Sequence, residues 1–105
     1  MNVIDFQNLA LLLCQTAKEG QTIYAVCPDR VRSKMTLALL SNMRDGDSAN
    51  GKSYSIGQGT LYMVRPNDSI PKDGFAVSLV CLSEADSVET KQMLAWRDKA
   101  KAVVA

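Results

Sequence analysis

The sequence contains no histidine. Imidazole acid–base chemistry, a Ser-His triad and histidine metal ligation are therefore excluded outright. Aromatic residues are scarce at 6%, and Tyr24, Tyr54 and Tyr62 are too scattered to read as a stacking platform for nucleic-acid bases. No run approaches the roughly 20 apolar residues of a membrane span. No basic segment precedes the first apolar residues, so neither a signal peptide nor a membrane partner is expected and the setting reads as cytoplasmic. Neither sign of charge dominates: 12 Lys plus Arg against 11 Asp plus Glu leave +1, so no global field draws the chain to nucleic acid or anionic lipid, and any anion site must be local. The three cysteines, Cys14, Cys27 and Cys81, lack the C-x-x-C spacing of zinc or redox centres and sit in apolar segments, as buried reduced thiols do. No metal and no cofactor are expected.

What is present is an ordinary globular composition. At 47% hydrophobic and 22% charged, the 105 residues suffice for one core and read as a single domain over 1–105. Asn2 and Asp5 are spaced like a capping box, Gly20 is a favoured residue after a helix, and Phe6, Leu9, Ala10, Leu13 and Ala17 keep the helical period, which predicts a first helix over Asn2–Glu19. Leu11 and Leu12 fall off that stripe and make the helix apolar beyond one packed face. QTIYAVC, residues 21–27, is β-branched and aromatic and stops at Pro28, which reads as a buried strand. Asp29 can cap a second helix carrying Val31, Met35, Ala38, Leu39 and Met43 through about Arg44. RDGDSANGK, residues 44–52, then reads as an exposed turn region.

Ser53–Ile56 and Thr60–Val64 flank Gly57-Gln58-Gly59, a three-residue hairpin connection. After the loop 65–74, the nearly continuous apolar run Phe75–Leu82 is the expected centre of the sheet. From about Asp86, Val88, Met93, Trp96, Ala100, Val103 and Val104 predict a long C-terminal amphipathic helix. The order α, β, α, β-hairpin, β, α implies an α/β layered sandwich with a mixed, partly parallel sheet of about three to four strands and three helices; a split ferredoxin-like α+β arrangement is the alternative.

Three pieces of the chain, together spanning about residues 8–90, resemble the RecA-like core of P-loop NTPases, the helicase and phage terminase large-subunit kind. LALLLCQTAKEGQTIYAVCPDR resembles the helix after the phosphate loop with the next strand, SYSIGQGTLYMVRPND a hairpin with a glycine turn, and GFAVSLVCLSEADSV the strand that ends in two acids. The resemblance implies a nucleotide-binding core in which Ser83 stands where the magnesium-binding acid belongs and Glu84 where the water-polarising acid belongs. The sequence departs from the family at the decisive places: it holds no G-x-x-x-x-G-K-[ST], and a serine hydroxyl is a weaker magnesium ligand than a carboxylate. The acidic motif Ser83, Glu84 and Asp86 is thus degenerate, and no catalytic residue is expected. A plainer reading is that Ser83 or Asp86 caps the helix that follows, with acids favoured in its first turn.

Arg30, Arg32 and Lys34 crowd the first turns of the second helix, the end whose dipole disfavours cations. With Lys52 and Arg65 they form the candidate anion- or nucleic-acid-binding set. Only Arg30 and Lys34, one turn apart, can share a face. Leu11, Leu12, Met93, Trp96 and Val103 are the candidate interaction surface. The expected function is a non-catalytic protein–protein interaction module, an adaptor, regulator or inhibitor of a larger machine of phage-related or nucleic-acid-processing kind, with a protein partner or self-association as a homo-oligomer. The alternative is a small nucleic-acid or phosphate-binding domain using the basic turn.

Overall fold

The computed structural model describes residues 5–72 and 74–104. It holds α1 (Phe6–Lys18), β1 (Thr22–Val26), α2 (Asp29–Ser41), β2 (Ser48–Asn50), β3 (Ser53–Ile56), β4 (Gly59–Val64), β5 (Ala76–Leu79), α3 (Ser87–Lys99) and β6 (Ala102–Val103). The domain is α/β with three helices and a mixed sheet, as its pattern implies, but the sheet has six strands in the order β2-β3-β4-β1-β5-β6. The two strands missing from the sequence reading are the edges. β2 carries only Ser48, Ala49 and Asn50, all exposed, and lies within the segment expected to be a turn. β6 falls where the last helix was expected to continue: α3 stops at Lys99, Ala100 turns to an extended backbone, and Ala102 and Val103 pair parallel to Ala76 and Val77. The sheet centre is also displaced, since β1, flanked by parallel β4 and β5, holds the middle and β5 lies one strand from the edge. The hairpin between β3 and β4 closes on two residues, Gly57 and Gln58, because Gly59 already pairs with Ile56.

Alternation along the strands divides the interior in two. On one face Ile23, Ala25, Leu61, Met63, Tyr54 and Ile56 pack under α1 and α2, which supply Ala10, Leu13, Cys14, Met35 and Leu39. On the other, Val26, Val64, Val77 and Phe75 pack under α3 through Met93 and Trp96. Tyr24 and Tyr62 join this second cluster as a stacked pair with ring centroids 4.9 Å apart. The loop that leaves β4 lies across the same face, because the Pro66 carbonyl accepts the Trp96 Nε1–H at 3.1 Å and Ile70 packs on the cluster. Asp5 caps α1 by accepting from the Asn8 amide; Asn2 lies outside the described residues. Asp29 is not a cap: α2 begins at Asp29 after Pro28, and its carboxylate is used elsewhere.

Candidate functional site

Three parallel strands, β1, β4 and β5, end on one edge of the sheet, and the residues just beyond them are the polar ones singled out in the sequence. Beyond β1 come Asp29 and Arg30, beyond β4 come Arg65 and Asp68, and beyond β5 a 3-10 turn over Leu82–Glu84 leads to α3. The turn exists because Cys81 adopts φ 65, the one non-glycine residue with a left-handed backbone among the described residues. That change of direction keeps the Cys81 side chain in the α1–α2 cluster, beside Cys27.

The degenerate acidic motif resolves into capping. Ser83 and Glu84 are exposed in the 3-10 turn, whereas Asp86 is the N-cap of α3 and accepts from the Glu89 amide at 2.7 Å. Among the described residues no group of three or more His, Cys, Asp or Glu is placed to hold a metal ion. Asp86→Ala should therefore destabilise the fold by about 1 kcal/mol, the worth of a side-chain cap, while Ser83→Ala should stay within about 0.5 kcal/mol, as an exposed substitution does. Urea unfolding followed by circular dichroism measures both, and equal losses from the two variants would refute the capping assignment.

The basic set does not gather into one patch. Arg30 pairs with Glu89 at 2.9 Å and donates to the Glu84 carbonyl at 3.2 Å, while Arg65 Nε donates to Asp29 at 2.9 Å. Lys52 stands 4.0 Å from Asp68, and Arg32 points at the Met63 carbonyl at 3.5 Å. Lys34 is exposed on α2. Arg30 and Arg65 do meet, across a cavity of about 330 Å3 that Asp29, Glu89, Asn67 and Gln92 also line. An anion entering there would have to displace an internal carboxylate or face it, a contest the sequence could not reveal because the partners lie 36 and 59 residues apart. Each guanidinium is held more firmly protonated by its hydrogen bond to the paired acid.

The proposed interaction residues also divide. Leu11 and Leu12 are exposed at 41% each and Val103 at 50%, but Met93 and Trp96 are fully buried against Phe75 and Tyr24 and cannot meet a partner. The stripe on α3 thus faces the sheet, because among the described residues α3 is the one helix on that face, joined there by the loop after β4. The sequence reading missed Leu37 and Leu40, exposed on α2. It also missed a groove of about 570 Å3 at the carboxyl end of β5, lined by Leu9, Leu79, Leu82, Val103 and Arg97 among others. Burial pushes the Cys27 thiol up to about 12 and raises those of Cys14 and Cys81, so all three stay protonated and unreactive near neutral pH.

No protein-family model, no curated protein and no solved structure matches the chain. The functional reading is consequently built from the chain's own sequence and surfaces. Among the described residues no helix is long and apolar enough to cross a membrane.

Proposed function

We propose that the protein is a non-catalytic interaction module, an adaptor, regulator or inhibitor that docks a segment of another protein in the groove at the end of β5. The observation that carries this reading is the groove's chemistry: it is walled by Leu9, Leu79, Val80, Leu82 and Val103, and its one charged lining residue is Arg97. β6 pairs with Ala76 and Val77 only, so the groove opens beside Leu79 and Val80, past the end of that ladder. Leu12 lies three residues from Leu9 on α1, and residues so spaced adjoin on a helix surface, which continues the apolar face outward. The fitting partner presents apolar side chains to the groove and a carboxylate to Arg97. Lys34, exposed on α2, adds a second cation whose charge is felt at Cys81 in the groove wall.

The likeness to a RecA-like core supports the same reading. The three matching pieces run through β1, β4 and β5, adjacent parallel strands with a common carboxyl edge, and the phosphate-binding sequence is lacking. A core of that ancestry without its catalytic groups is suited to regulate a larger nucleic-acid-processing machine. Phosphate or nucleic-acid binding through Arg30, Lys34 and Arg65 is the second reading, and the internal pairing of Arg30 and Arg65 is what weakens it.

Affinity capture from the native extract with nuclease added tests the proposal. A protein should be retained by the native chain, lost with Val103→Asp and with Arg97→Glu, and kept with Arg30→Ala. Capture indifferent to both groove variants would sink the docking site. Recovery of nucleic acid alone, weakening steeply with salt, would establish the second reading instead. Sedimentation of the purified chain identifies self-association: a dimer abolished by Val103→Asp would make a second copy the occupant and overturn the separate partner.

A further inference from the structure

The groove at the end of β5 has apolar walls and one lining cation, and that combination limits the kind of segment it can take. Leu9 comes from α1, Leu79 and Val80 from the end of β5 and the residue after it, Leu82 from the 3-10 turn and Val103 from β6. Apart from the Cys81 thiol, Ser83 and Arg97 are the lining residues with polar side chains. Arg97 is half-exposed, and among the described residues its nearest acid, Asp98, lies 3.7 Å from Nη2, beyond hydrogen-bond reach, so the guanidinium fork is open to a carboxylate. Glu84, the acid of the 3-10 turn, precedes the first turn of α3 whereas Arg97 stands in its last, so about 15 Å of helix separates the two.

An extended segment threaded through such walls would bury peptide N–H and C=O groups with two polar side chains to meet them, and each group left unpaired costs free energy. A helix meets its own backbone groups but brings only side chains into a groove. At the ~30 Å3 that a water occupies in the liquid, the groove's volume of about 570 Å3 holds about 19 non-hydrogen atoms, so two leucine side chains, about eight atoms, leave more than half of it empty. Two whole leucine residues with a terminal oxygen, about 17 atoms, fill it. A chain end satisfies both limits, because it enters tip first, keeps most of its peptide groups in water at the mouth, and carries its charge on the carbon next to its last Cα. We propose that the groove takes the free C-terminus of the partner chain, its last apolar side chains against Leu79, Leu82 and Val103 and its α-carboxylate on the Arg97 guanidinium. This inference rests on the docking groove of the preceding section and narrows the partner to proteins that end in an apolar residue.

Nuclear magnetic resonance titration of the 15N-labelled native chain with synthetic N-acetylated peptides tests the assignment. Four end in two leucines, valines, isoleucines or phenylalanines with a free α-carboxylate, each has a twin whose end is amidated, and one further peptide carries leucine, aspartate and leucine internally with an amidated end. At least one free-acid peptide should shift the amides of Leu79 and Val103 saturably, and its amidated twin should bind about tenfold more weakly or worse, for want of one charge-assisted bidentate contact. Arg97→Gln should abolish that difference by weakening the acid and leaving the twin unchanged, which a general loss of fold would not do. If that variant fails to fold, each acid and its twin read the same contact on the native chain. Equal binding of acid and twin, or tighter binding of the internal acid, overturns the end-on assignment while leaving the groove as a docking site. Failure of every peptide to saturate the groove overturns the assignment too, and capture with Val103→Asp then decides separately whether the groove docks a protein.

Discussion

Replacing Trp96 with alanine should destabilise the domain by about 3–5 kcal/mol, the range for emptying a buried aromatic site. The indole is fully buried, with its ring centroid 5.5 Å from that of Tyr24 and 6.1 Å from that of Phe75. It fastens three segments of the chain: α3, the central strand β1 through Tyr24, and the loop after β4 through the hydrogen bond to Pro66. A typical domain has about 5–15 kcal/mol in total, so this single change removes a large part of the margin. Trp96→Phe keeps much of the apolar volume but strands the Pro66 carbonyl, and its cost should be smaller, about 1–3 kcal/mol. Chemical unfolding followed by far-ultraviolet circular dichroism reads both without relying on the tryptophan itself. A loss below about 1 kcal/mol for the alanine variant, the ordinary size of a point-mutation effect, would mean that α3 does not hold the second face.

The second large effect is expected at Gly59, and for a different reason. A Cβ there would overlap the carbonyl oxygen of Ala17 and lie 2.5 Å from that of Gln21. Both are backbone atoms at the point where the end of α1 and the turn into β1 press on the start of β4, and the Thr60 amide donates to that same Gln21 oxygen at 3.1 Å. No side-chain rotation relieves such a contact, so Gly59→Ala should exceed the usual overpacking cost and lose about 3 kcal/mol or more. Gly51 is the control. At φ +63 with open space around it, its replacement by alanine meets only backbone strain, about 1–2 kcal/mol. Melting temperatures of the two variants separate crowding from strain, and equal losses would contradict the close approach of α1 to β4.

These two positions differ in how far local pattern could reveal them. Trp96 stands out in the sequence as an apolar residue at helical spacing, yet spacing alone does not say whether the stripe meets a sheet or a partner. It meets the sheet because, among the described residues, α3 is the only helix on its face. Gly59 reads as a turn residue, and its real constraint comes from Ala17, far back in the chain. Leu11 and Leu12 are legible as surplus apolar surface because they sit outside the periodic stripe of their own helix. The capping role of Asp86 is legible for the same kind of reason, since a cap acts within three residues.

By itself the sequence determined what short-range chemistry controls: an α/β chain with three helices, the buried strand between Gly20 and Pro28, the hairpin around Gly57, and the exclusion of every reaction that needs imidazole. Helical period, turn residues and caps act over a few positions, so they are written locally. Only the tertiary structure decided that Ser48–Asn50 and Ala102–Val103 become strands, because short edge strands carry no apolar pattern of their own and form when a neighbour offers backbone partners. Only it set Arg65 against Asp29 and Arg30 against Glu89, bringing two of the five scattered cations into a charge-balanced cavity and leaving the apolar groove at the end of β5. Those features depend on which distant segments the folded chain brings into contact, and no local regularity of the sequence records that choice.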